Sequence, residues 1–127
     1  MPSHFPEHAL RLRRPLLICA LLGLPASSAF AHAILVQSDP PAGAAVPAGK
    51  VDLHLRYNSR IDSGRSRLTL IAPDHAQTVL PIGAAATEDV LNTTATLAPG
   101  DYTVRWQVLA VDGHITRGDL PFTVTGP

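Results

Sequence analysis

The strongest constraint on the fold is a strict two-residue alternation between residues 102 and 108. Apolar side chains at Tyr102, Val104, Trp106 and Val108 are separated by polar or charged ones. Successive side chains of a β-strand point to opposite faces of a sheet, so this pattern predicts a strand with one buried and one solvated face. An amphipathic helix would instead repeat its apolar residues every three or four positions. This segment therefore predicts a strand in a β-structured core.

Similar runs recur after residue 31, separated by turns rich in proline and glycine. Residues 51–57 alternate in the same way, and the turns at 39–43 and 98–101 cannot continue a strand. The predicted strands cover 33–38, 51–57, the neighbourhood of 68–70, 77–82, 90–97, 102–108 and 118–124. The stretch 83–89 is left open between a loop and a short helical turn. Seven short strands without helical periodicity predict an antiparallel β-sandwich.

Residues 1–31 have the organisation of an export signal. Arginines at positions 11, 13 and 14 precede the apolar run 16–24, and Ala29-Phe30-Ala31 supplies the small residues of a cleavage site. The apolar run is shorter than the ~20 residues that cross a bilayer, so we expect the mature protein not to be embedded in a membrane. We predict a signal peptide over 1–31, cleaved after Ala31, and one exported domain over 32–127.

The composition after residue 31 excludes several kinds of chemistry. Cys19 and Met1 are the only cysteine and methionine of the chain, so the mature domain has no disulfide, thiolate or thioether ligand. Acidic residues slightly outnumber Lys and Arg once the leader is removed, which argues against nucleic acid as a partner.

Cleavage after Ala31 would make His32 the first residue, and its α-amine and imidazole could then chelate one metal ion. Asp112 and His114, two positions apart, could direct a carboxylate and a second imidazole to the same point. Alone, the Asp112-Gly113-His114 triplet also fits a turn aspartate beside a surface histidine. Together with His32 it offers three nitrogens and one oxygen, a donor set that suits Cu(II).

After residue 31 the sequence resembles the CopC family of periplasmic copper-binding proteins. The run 32–43, HAILVQSDPPAG, is similar to the mature start of that family, and so is the later pattern of Trp106, Asp112-Gly113-His114, Gly118 and Phe122. The resemblance implies a seven-stranded Greek-key sandwich, cupredoxin-like or immunoglobulin-like, that binds one Cu(II) ion through His32, Asp112 and His114. It also implies a non-enzymatic, monomeric periplasmic protein for copper tolerance, buffering or delivery, working beside an inner-membrane transporter of the CopD type.

Two departures from the family pattern bear on the site. The mature chain has no methionine, so a Cu(I) site built on a methionine-rich loop is not expected. Relatives often have Phe-Ser-Glu-Pro where this chain has Tyr57-Asn58-Ser59-Arg60, so Ser59 stands where an acidic group is common. Such neighbours of a ligand change metal affinity by about 10 to 100-fold.

Other interpretations of the same residues remain. One is a copper-dependent oxidase of the polysaccharide-monooxygenase type, and another is an immunoglobulin-like interaction module that holds no metal. His54 is predicted on the solvated face of its strand and His75 in a turn, while Trp106 is predicted in the core. The two histidines are therefore not counted as ligands.

Overall fold

The computed structural model describes residues 32–126, which form a sandwich of two β-sheets. The predicted signal peptide, with Cys19 and the cleavage site, lies outside the described residues. The strands are β1 (Leu35–Asp39), β2 (Ala45–Pro47), β3 (Gly49–Tyr57), β4 (Arg67–Ile71), β5 (Gln77–Leu80), β6 (Val90–Leu97), β7 (Gly100–Leu109) and β8 (Ile115–Thr125). A single 3-10 turn, Ser63–Arg65, is the only helical element in this part of the chain.

One sheet has the strand order β1-β3-β6, and the other has the order β2-β8-β7-β4-β5. All pairings are antiparallel except the short parallel contact between β2 and β8. β3 pairs with β6 although β4 and β5, which belong to the other sheet, intervene in sequence. Such crossings between sheets are typical of Greek-key sandwiches. The predicted all-β sandwich is confirmed.

Between residues 32 and 126 there are eight strands, one more than the seven predicted. The additional strand, β2, has only three residues and pairs with the last residues of β8, so it is too short to show a periodicity. The last strand begins at Ile115 rather than at 118, and its pairing with β7 runs from Leu109↔Ile115 to Gly100↔Val124. The stretch 83–89 contains turns and an isolated bridge from Gly83 to Asn92 instead of a helix.

The core lies between the inner faces of the two sheets, where the alternating apolar residues meet. Trp106 is buried, as predicted, and its ring packs edge-on against Tyr57 with ring centroids 5.3 Å apart. Gly118 lies opposite Trp106 on β8, where the indole ring leaves no room for a side chain. A Cβ there would lie 2.3 Å from the ring atom Cζ2.

No helix within residues 32–126 is long and apolar enough to cross a membrane.

Candidate metal centre

The turn between β7 and β8 carries Asp112 and His114. The Ala110 N–H donates to the His114 carbonyl at 2.8 Å, and the Gly113 N–H donates back to the Ala110 carbonyl at 2.9 Å. Gly113 has a φ of 95°, a conformation that residues with a Cβ rarely adopt. This glycine therefore lets the chain reverse tightly and bring its two neighbours together.

Asp112 is directed at His114 by this turn. Its Oδ1 accepts a hydrogen bond from the His114 backbone N–H at 3.1 Å and lies 3.3 Å from the His114 ring atom Nδ1. The backbone hydrogen bond, with a smaller contribution from the ring, lowers the pKa of the Asp112 carboxyl. From the sequence alone, Asp112 and His114 were predicted to converge because alternate residues of an extended segment point to the same side. That reason was wrong. The two side chains meet because the backbone turns, not because it is extended.

The segment that carries His32 is held against both sheets. Ala33 is 1% exposed, and its carbonyl accepts a hydrogen bond from Thr116 Oγ1 at 2.8 Å. The Ile34 N–H donates to Asn58 Oδ1 at 2.8 Å, and the Asn58 N–H donates to the Ile34 carbonyl at 3.0 Å. Among the described residues, His32 alone precedes this anchored pair.

His32 and His114 are far apart in the sequence but lie side by side in the folded domain. The ring centroids of His32 and His114 are 5.4 Å apart, with the rings inclined at 73°. His32 is exposed, and the side chain of His114 is 53% exposed. Two imidazoles at this separation, both reachable from solvent, can approach one metal ion with little movement.

The three predicted ligands do not form a single cluster. Within residues 32–126, no three side chains of His, Cys, Asp or Glu stand close enough together to hold a metal ion. His114 instead makes two separate contacts, one with His32 and one with Asp112. Within residues 32–126, both contacts of Asp112 use Oδ1, which leaves Oδ2 as a further oxygen donor.

The other candidate residues lie elsewhere. His54 is exposed on the outer face of β3, opposite Asp39 and Asn92. His75 is exposed in the turn after β4, with a φ of 72°. These positions agree with the predicted roles of both histidines. Ser59 is half-buried in the loop after β3.

Sequence reasoning missed the two residues that anchor the segment after His32, namely Asn58 and Thr116. Neither carries a recognisable signal, because an asparagine after a strand and a threonine inside one are both common. Only the folded chain brings them to residues 33 and 34.

The fold and the site together define a β-sandwich that presents two histidines and a carboxylate at one end. The model of the CopC domain matches residues 35–125. The chain therefore belongs to the CopC family, and the predicted resemblance is confirmed. It is also 31% identical over 102 residues to the protein YobA of Escherichia coli strain K12, across 76% of this chain and 82% of that protein.

Two solved structures share the fold. The crystal structure of CopC from Methylosinus trichosporium OB3b superposes with a TM-score of 0.67 at 27% identity, covering 75% of this chain and 95% of that chain. PcoC from Escherichia coli superposes with a TM-score of 0.62 at 25% identity, covering 75% of this chain and 100% of that chain. PcoC is described as a methionine-rich copper resistance protein. In this chain, by contrast, the only methionine is Met1.

Proposed function

We propose that the exported domain is a periplasmic protein that binds one Cu(II) ion through an N-terminal histidine brace. The α-amine and the imidazole of His32 supply two nitrogens, His114 a third, and Asp112 an oxygen. The observation that carries the proposal is the contact between His32 and His114. Their ring centroids are 5.4 Å apart, although the two residues are far apart in the sequence. Membership of the CopC family supports copper as the metal.

The donor set favours the oxidised ion. Nitrogen and carboxylate oxygen ligands suit Cu(II), whereas Cu(I) prefers thioether and thiolate sulfur. Residues 32–127 contain neither methionine nor cysteine. A single Cu(II) site, with a role in copper tolerance, buffering or delivery, therefore fits this chain better than a two-site redox relay. A recipient of the CopD type in the inner membrane fits that role.

A binding role is also preferred to that of a polysaccharide monooxygenase. Such an enzyme needs exposed aromatic rings on which sugars can stack. The one tryptophan and both tyrosines of the chain, Trp106, Tyr57 and Tyr102, are all buried. The aromatic residues of this domain thus serve the core and leave no stacking surface.

The decisive experiment is a Cu(II) titration of the exported protein, after mass spectrometry has established that its first residue is His32. We expect His32→Ala and His114→Ala to weaken Cu(II) binding by about 100-fold or more, since each removes a ligand. His54→Ala and His75→Ala are matched controls, because both residues are exposed histidines away from the site. Equal Cu(II) affinity of the His32 and His54 variants would overturn the proposal.

A second variant isolates the α-amine. A protein that begins at His32 and is acetylated there keeps both imidazoles but has an amide in place of the α-amine of His32. We expect its electron paramagnetic resonance spectrum to report fewer equatorial nitrogens and its Cu(II) affinity to fall. An unchanged spectrum would show that the amine is not a ligand.

A further inference from the structure

The segment that carries His32 lies outside the regular β-ladder and needs its own attachment. β1 begins only at Leu35, which pairs with Tyr57 at the end of β3, and the register then shifts between Leu35 and Gln37. Residues 33 and 34 therefore lie outside the paired residues of β1. If nothing held them, His32 would sample many positions and would meet His114 only occasionally.

Asn58 extends the ladder by one more pair. Its backbone N–H donates to the Ile34 carbonyl at 3.0 Å, as a strand residue would. Its side-chain Oδ1 then accepts from the Ile34 N–H at 2.8 Å, taking the place of a strand carbonyl. The two bonds close a ring around Ile34 and fix the direction of the chain at that residue.

Thr116 fixes the same segment from the opposite sheet. Its Oγ1 donates to the Ala33 carbonyl at 2.8 Å, and the methyl group of Ala33 is buried in the core. Thr116 is also only two residues from His114 in the same chain segment. This one hydrogen bond thereby ties the backbone next to His32 to the backbone next to His114.

We propose that Asn58 and Thr116 are positioning residues for the N-terminal histidine: they hold the backbone of residues 33 and 34 so that His32 meets His114. The inference rests on the proposed copper site, since its purpose is to preorganise a chelate. A ligand that is already in place loses less conformational entropy when the metal binds. The two side chains therefore set Cu(II) affinity without touching the metal.

The test uses the exported protein and two pairs of variants. Asn58→Ala removes the Oδ1 acceptor and Asn58→Asp restores an oxygen there. Thr116→Val removes the hydroxyl with little change of shape and Thr116→Ser restores it. Thr123→Val is the matched control, because Thr123 lies on the same strand and its Oγ1 donates to Asp101 Oδ1 at 2.7 Å, away from the site.

We expect Asn58→Ala and Thr116→Val each to raise the Cu(II) dissociation constant by about 10 to 100-fold. Their Cu(II) electron paramagnetic resonance spectra should broaden into more than one species, as expected of a ligand held in several orientations. The aspartate and serine variants, and Thr123→Val, should stay within about threefold of the parent protein. In the copper-free protein, hydrogen exchange of the Ile34 amide should become faster in Asn58→Ala and stay unchanged in Thr123→Val.

Two results would refute the proposal. One is a dissociation constant and spectrum of Asn58→Ala equal to those of the parent. The other is unchanged exchange of the Ile34 amide. If either occurs while His32→Ala still abolishes tight binding, the positioning role fails and the copper site stands. If His32→Ala binds Cu(II) as tightly as the parent, the proposed function fails instead. Thr116→Val provides the same comparison should Asn58→Ala not fold.

Discussion

Replacing Gly118 by alanine is expected to destabilise the domain, because the new methyl group would overlap the ring of Trp106. A Cβ at position 118 would lie 2.3 Å from Cζ2, 2.6 Å from Cε2 and 3.0 Å from Nε1 of the indole. These are atoms of a rigid ring that is only 7% exposed and packs against Tyr57. The indole therefore cannot move aside without disturbing a second core side chain.

The magnitude follows from two opposing effects. Forcing one extra methyl group into a packed core costs about 1–3 kcal/mol. Replacing glycine by alanine also reduces the entropy of the unfolded chain, which stabilises the fold by about 0.4–1 kcal/mol. The net loss is then about 1–2 kcal/mol. For a domain of this size each kcal/mol corresponds to about 4–8 °C, so the melting temperature should fall by about 5–15 °C.

Thermal unfolding of the copper-free protein, followed by circular dichroism, measures this effect. Gly83→Ala is the matched control, because its Cβ would make only an ordinary contact, 3.7 Å from the Asn92 carbonyl oxygen. In a Trp106→Leu background the penalty of Gly118→Ala should largely disappear, since the overlapping ring is gone. Equal melting temperatures for the Gly118 and Gly83 variants would refute the described packing of Trp106.

Three further predictions concern other groups. Tyr57→Phe should leave the free energy of unfolding unchanged or raise it by up to about 1 kcal/mol in urea titrations, because the hydroxyl is buried without a hydrogen-bond partner among residues 32–126; a clear loss of stability would reveal a hidden partner. Arg105→Gln should lower stability at neutral pH but not in strong acid, because the Arg105 hydrogen bond lowers the pKa of Asp119. That contribution is present above the unfolded carboxyl value of ~3.9 and is lost as the pH falls through the folded value, so melting curves that stay apart in strong acid would contradict it. Cu(II) affinity, measured by competition, should fall as the pH is lowered, because protons compete with the metal for all three nitrogen donors; a flat profile would exclude the amine and the imidazoles as ligands.

The sequence was sufficient to predict the strands that carry strong alternation. β6 was predicted with its observed bounds, and the inward residues of β7 are all buried. This success has a simple cause, since burial on one face of a sheet acts on every second residue of a strand. β2 was missed because three residues between two turns carry no periodicity.

The candidate site was predictable only in part. The sequence pointed to His32, Asp112 and His114 as residue types with the right chemistry, and the structure adds that the two histidines are neighbours. The role of Asn58 could not be predicted, because it depends on which backbone group its side chain meets across the sheet. Such a contact depends on how distant segments align in the folded sheet, and the residues around position 58 do not determine that alignment.

The attachment of residues 33 and 34 has a mechanical consequence. Asn58 follows a strand of the three-stranded sheet, whereas Thr116 and His114 belong to the β7–β8 hairpin of the five-stranded sheet. A metal ion bound by both His32 and His114 would thus link the three-stranded sheet to the five-stranded sheet. Antibody domains join their two sheets at the core with a disulfide, a bond that residues 32–127 cannot form because they contain no cysteine. In this domain a bound copper ion would act as a reversible cross-link between the two sheets. Copper binding would therefore make the sandwich more rigid, and copper release would make it more flexible.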